Sequence, residues 1–197
     1  MADLAPAVPS EPIRLTAERY FGLLEAGVLS EEDRVELLEG VVVAMTPSNP
    51  PHAAGVARAT EALFLAVGRR AHIRPQLSLV LGRYSVPEPD LAVVTGRAAD
   101  YDAAHPRTAL LIVEVADTSL KQDRITKAAI YAAASIPEYW IVNLRDSVVE
   151  VMREPDPAQA RWRDLRSVGP DAQLELVALP GASVAVADLL PARDAPR

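Results

Sequence analysis

An acidic residue interrupts one of the most apolar stretches of the chain, Glu114 in ALLIVEVA at 109–116. An ionised carboxylate in a buried strand is costly unless a cation or several donors satisfy it, so something positive must sit beside Glu114. Upstream, VPEPDLAVV sets Asp90 directly after Pro89, at the mouth of a second apolar run. If the two runs are neighbouring strands, Asp90 and Glu114 converge at one end of a sheet. Two carboxylates completed by water and substrate phosphate oxygens are an ordinary way to hold Mg²⁺. Each acid also has a plain structural reading: Glu114 could pair with an arginine, and a Pro-Asp pair is common in the turn before a strand. A third group follows in DTSLKQDRITKAAIYAAA, where Lys127 has Asp123 and Tyr131 four residues to either side, on one helical face. The plain alternative is an Asp123–Lys127 surface pair, worth about 0.3 kcal/mol. Yet only Lys121 and Lys127 are lysines among 20 basic residues. An exchangeable surface cation in so arginine-rich a chain would be arginine, so a lysine hints that a titratable ammonium is wanted.

The surrounding sequence supplies elements to position these groups. With Thr16 as N-cap, TAERYFGLLEAG places Tyr20, Leu23 and Leu24 at helical spacing and ends at Gly27. Ser30 and Asp33 can open a helical turn, and Val41 to Val43 favour a strand after a Glu39-Gly40 turn. Pro50 and Pro51 start a long amphipathic helix over 52–70, with Val56, Thr60, Leu63, Phe64 and Val67 on one stripe. Strands are predicted at 76–81, 90–94 and 109–115, the last two apolar enough for the centre of a sheet. A second helix covers 122–134 and breaks before Pro137. Strands at 139–144 and 148–152 flank a tight turn at Asp146, and WRDLRSV and LELVAL read as peripheral strands. Residues 1–12 read as a flexible leader, 13–190 as one domain and 191–197 as a flexible tail.

Composition removes whole classes of function. The 197 residues suit one domain and leave no room for two catalytic ones. With 34 alanines and nine aromatic residues, the core must be aliphatic. The absence of cysteine excludes disulfide frameworks, zinc ribbons, iron–sulfur clusters and thiol catalysis. His52, His72 and His105 are too scattered for a histidine metal motif. The start has an acid and no apolar core where a secretory signal would need the reverse, and no window is apolar enough to span a membrane. A cytoplasmic protein with no membrane partner is expected. GxSxG, Walker and GxGxxG motifs are missing. A net charge of −7 argues against indiscriminate coating of nucleic acid.

From about Glu36 to Asn143 the chain resembles the Uma-type putative restriction endonucleases, a group within the PD-(D/E)xK nuclease superfamily. The resemblance rests on ELLEG, on Thr46-Pro47-Ser48 followed by His52, on EPDLAVV, and on IVEVADTSLKQDRITKAAIYAAASIPEYWIVN. It implies a restriction-endonuclease-like fold of the α/β (α+β) class, a central mixed β-sheet flanked by helices. It also implies Asp90 and Glu114 as acids for Mg²⁺ or Mn²⁺. The position two after Glu114, where the superfamily carries its lysine, is Ala116; Lys127 on the next helix matches the displaced lysine. Glu36 matches an early acidic position and could complete the metal shell, or be a solvated carboxylate. His52, Gln76 and Tyr131 are supporting or substrate-binding candidates. Asp117, Thr118 and Ser119 are read as caps of the following helix.

The activity implied is metal-dependent hydrolysis of phosphodiester bonds with Asp90, Glu114 and Lys127 as catalytic groups, DNA as the expected substrate, and a homodimer because a double-strand cut uses two sites. Two other classes stay open: a non-catalytic interaction protein with a weakened site, and a metal-dependent phosphoesterase acting on RNA or nucleotides. Divided along the chain, the charge is −6 over 1–68, +2 over 69–127 and −3 over 128–197. The motif-bearing middle is thus the one positive stretch, with Arg69, Arg70, Arg74, Arg83, Arg107, Lys121 and Arg124 available for phosphates.

Overall fold

The computed structural model describes residues 13–191. The expected leader, 1–12, and 192–197 of the expected tail lie outside the described residues.

Helix α1, Ala17–Glu25, begins where the Thr16 side chain accepts from the Arg19 N–H. A hairpin follows, β1 (Val35–Leu38) and β2 (Val41–Ala44), turning at Glu39 and Gly40. Both turn residues adopt positive φ, and a side chain on Gly40 would run into Arg14. Asn49 caps α2, Pro50–Val67, by accepting from the His52 N–H, and the two prolines occupy its first positions.

The main sheet has six strands: β3 (His72–Pro75), β4 (Leu91–Val94), β5 (Leu111–Ala116), β6 (Glu138–Asn143), β7 (Val148–Asp156) and β8 (Arg161–Val168). They lie side by side in chain order. Only β5 and β6 run parallel, and between them the chain crosses the sheet through α3 (Leu120–Gln122), a π-helical turn at Asp123–Lys127, and α4 (Ala128–Ala133). β4, β5 and β6 are buried throughout, as their β-branched runs require. A smaller hairpin, β9 (Gln173–Glu175) and β10 (Ser183–Ala185), leads into α5, Val186–Leu189.

Side chains alternate across the central strands, so the two faces build separate cores. Leu91, Val93, Leu111, Val113, Val115, Trp140 and Val142 face α2, β9–β10 and α5. Ala92, Val94, Ile112, Ala116, Tyr139 and Ile141 face the α3–α4 crossover. The approach of α2 to β5 depends on Gly55, where a Cβ would lie 2.7 Å from Val115 Cγ1.

The strand predicted at 76–81 is instead His72–Pro75, followed by an irregular extended segment. Gln76 takes a positive φ, and Leu79 and Val80 donate singly to Pro87 and Pro106 carbonyls. The partner segment carries Pro87 and Pro89, which have no N–H to offer a ladder. Leu79 and Leu81 are nevertheless buried, which explains their strand-like spacing.

Candidate active site

The register Leu91↔Val113 between β4 and β5 places Asp90 opposite Glu114 on the crossover face. The two acids are also stitched through the backbone: Asp90 N donates to Glu114 Oε2 at 3.3 Å, and Val115 N donates to Asp90 Oδ2 at 2.8 Å. The β1–β2 hairpin brings Glu36 to the same place, where its Oε2 accepts from the Glu88 N–H. From the crossover come Asp123 and Lys127. In the π turn the Ala128 N–H reaches back five residues to Asp123 O, widening the coil at the point where both polar side chains turn inward.

Lys127 Nζ lies 3.0 Å from Glu114 Oε1 and 3.5 Å from Glu36 Oε1. Tyr131 donates to the same Glu114 oxygen at 2.8 Å, and Ser119 Oγ donates to Asp123 at 2.6 Å. His52 Nε2 is 3.1 Å from Asp90 Oδ2, with Nδ1 held by Ser48 Oγ at 3.0 Å. A cleft of about 60 Å³ opens among these groups, with Gln76, Gln122, Asn49 and the exposed Arg34 also on its walls. That is room for a few water-sized bodies.

The charges do not balance. Glu36, Asp90, Glu114 and Asp123 are 2%, 8%, 3% and 2% exposed, and the one buried cation among them is Lys127. Burial pushes the Glu114 carboxyl up to about 8, against the pull of Lys127 and with help from Asp123, Asp90 and Glu36. Burial likewise raises Asp123, opposed by Lys127 and the Ser119 hydroxyl. Burial by itself would lower Lys127, but Glu114, Glu36 and Asp123 outweigh it and hold the amine above its ordinary value, as an ammonium. The hydrogen bond to Asp90 raises the His52 imidazole.

For a divalent cation the donor set fits at two carboxylates. Among the described residues Asp90 Oδ1 accepts no hydrogen bond, and Glu114 Oε2 accepts only the long one from Asp90 N. Among those residues no three His, Asp or Glu side chains close on one point. The remaining positions would fall to water and phosphate oxygens, an arrangement that Mg²⁺ tolerates.

The protein-family model described as "Uma2: Putative restriction endonuclease" matches residues 17–187. The chain belongs to the Uma2 family. A crystal structure of a putative nuclease of the DUF820 group from Anabaena variabilis superposes with a TM-score of 0.70 at 18% identity, covering 90% of this chain and 97% of that one. At that identity it shows the fold, which is restriction-endonuclease-like. A search of curated proteins finds no match. No described helix is long and apolar enough to cross a membrane.

In this Uma2 chain the fold gathers Asp90, Glu114, Lys127, Glu36, His52, Gln76 and Tyr131 around one cleft, although Gln76 arrives from the irregular segment rather than a strand. Arg124 does not join them. Both ends of its guanidinium are held by Glu150 of β7, which Asn143 also grips. Lys121 is exposed beside a shallower hollow shared with Thr46, Thr118 and Gln122. Ser119 precedes α3 without a side-chain capping bond and holds Asp123 instead. Asp117 accepts from Asn49. Asp123 is the buried acid of the cleft that sequence reasoning did not name as a site residue, weighing it only as the partner in an alternative surface pair with Lys127. Its signal was the run Ser119, Asp123, Lys127, Tyr131, four polar residues at a spacing of four in an alanine-rich helix.

Proposed function

We propose that the protein is a Mg²⁺- or Mn²⁺-dependent endonuclease that hydrolyses phosphodiester bonds in DNA. The observation that carries this reading is the surplus of buried carboxylates over cations in the cleft. Four acids facing one ammonium are poorly satisfied by the protein alone, and a divalent ion is the simplest complement. Asp90 and Glu114 would hold it, with Glu36 set behind Lys127. When bound, such an ion supplies Lewis-acid neutralisation at the phosphoryl oxygens and lowers the pKa of a water.

The chain's own groups do the rest. Lys127, fixed by Glu114 and Glu36, presents its remaining N–H to an attacking water or to negative charge developing on the phosphate. Tyr131 stays a neutral phenol, raised well above its ordinary pKa by burial and by Glu114, and locks the Glu114 carboxylate. His52, held between Ser48 and Asp90, fixes the orientation of Asp90. The test is plasmid nicking with added Mn²⁺ or Mg²⁺. Wild type is expected to cleave and chelation to stop it, while Asp90→Asn and Glu114→Gln are expected to be inactive but folded. Cleavage that persists in both variants would sink the proposal.

A further inference from the structure

The other side of the same charge imbalance is Arg74. It lies on the edge strand β3, is 6% exposed, and has no carboxylate within ion-pair distance among the described residues. Its Nε is sealed from solvent with no acceptor. What the guanidinium does have is the face of Tyr101, with Cζ 5.1 Å from the ring centre. That ring is pinned by its hydroxyl to Thr95 O at 2.7 Å and stacked by His72 at 6.3 Å. A buried donor left without an acceptor is rare and calls for an explanation. With one face on the ring and Nε closed off, the terminal amino groups are the donors the guanidinium has left for an oxyanion, which its planar group is suited to bind.

Its place in the sheet says which anion. Arg74 stands opposite Ala92, and the Gln76 N–H donates to Asp90 O, so the chain runs from Arg74 to the cleft wall in two residues. That is roughly 7 Å of strand. Arg74 therefore sits on the crossover face, one step along the edge from Asp90 and Glu114, too far to touch the reacting phosphate and well placed for one further along the strand. We infer that Arg74, presented on the Tyr101 ring, is a backbone-phosphate contact that sets the path of a nucleic acid strand across the β3 edge into the cleft. This rests on the nuclease reading, but its readout is binding rather than cleavage.

The test is anisotropy of a labelled DNA duplex in chelator, titrated with salt, for wild type and Arg74→Met. Loss of one phosphate contact weakens binding and makes the slope of log K against log salt shallower by about 0.7 to 0.9. Arg74→Lys, which keeps the charge, recovers most of the slope. Arg74→Gln replaces Arg74→Met if the latter does not fold, and Mn²⁺ binding at the cleft, unchanged in the variant, separates a lost contact from a damaged fold. A wild-type slope in Arg74→Met or Arg74→Gln overturns the inference, as does a wild type that shows no salt-dependent DNA binding. Stabilisation of wild type, but not of Arg74→Met, by inorganic phosphate with no response to DNA would assign the position to a free anion and also overturn it. If Mn²⁺-dependent cleavage fails while the slope difference holds, the nuclease proposal falls and this inference stands.

Discussion

Two buried carboxylates stand on opposite faces of the same sheet, and each has a cross-strand neighbour. Glu138, at the start of β6 and fully buried, is paired by register with Arg153 of β7. It also accepts from Trp140 Nε1 and from the Val177 N–H at 2.9 Å each. One acid meets one guanidinium, and two neutral donors complete it. Glu114 sits opposite another acid, Asp90, with Glu36 and Asp123 close by and a single lysine among the four. Opposite charges across a ladder stabilise it and like charges destabilise it. The first site is thus a solved electrostatic problem, and the second is left open at a cleft. Burial of a carboxylate says little about function; an uncompensated set of them at the mouth of a cavity says much more.

The two sites should respond in opposite senses when each acid is neutralised. Glu138→Gln is expected to cost about 3 to 5 kcal/mol of stability, because Arg153 loses its partner, and to leave Mn²⁺-dependent cleavage of the surviving folded fraction intact. Glu114→Gln is expected to leave the metal-free fold at least as stable and to abolish cleavage. Urea unfolding alongside the nicking assay reads both. Equal destabilisation by the two changes would erase the distinction.

The pH response of the metal-free protein sharpens it next. Glu114 titrates near 8 in the fold, so between about 4.5 and 8 the folded state keeps a proton the unfolded chain has released, and Asp123, also raised, shifts in the same sense. Stability is then greatest at the acidic end of that window and falls as pH rises through it. His52, also raised, acts in the same direction. A decline on the order of 3 kcal/mol is expected in chelator, flattened by Mn²⁺ and by Glu114→Gln. A urea midpoint that rises over this range would contradict the charge assignment.

Smaller effects follow at the supports. Lys127→Met leaves the acids without their ammonium. It should lower metal-free stability at pH 8 by about 2 kcal/mol, less at pH 5, with cleavage reduced at least about 100-fold. Gly55→Ala forces α2 off Val115 at a cost of about 1 kcal/mol. It should lower cleavage by displacing His52 from Asp90 while leaving Glu138 untouched, which thermal melts and nicking rates would show.

The side chains that line the cleft were more legible than the scaffolding that carries them. Asp90 and Glu114 stood out because acids are expensive in apolar strands, and that expense is a local property of sequence. Lys127 stood out by rarity. What could not be read were properties set by distant partners. Arg124 looked available until β7 placed Glu150, 26 residues on, against it. Glu138 drew no notice because its compensation by Arg153 depends on the β6–β7 register. The 76–81 segment had the spacing of a strand, but its prolines of consequence, Pro87 and Pro89, lie in the segment it would have paired with. Asp123 was weighed only as the alternative partner of Lys127, since its spacing of four marks a shared helical face but does not announce the π turn or the sheet beneath it.

The central claim is that the carboxylate surplus at Asp90 and Glu114 exists to hold a divalent cation. Calorimetric titration of Mn²⁺ into wild type, Glu114→Gln and Glu138→Gln at pH 8 tests it most directly. The account predicts one ion per chain in wild type, retained in folded Glu138→Gln and lost in Glu114→Gln. A folded wild type that takes up no Mn²⁺, or a Glu114→Gln protein that binds it as well as wild type, would contradict it.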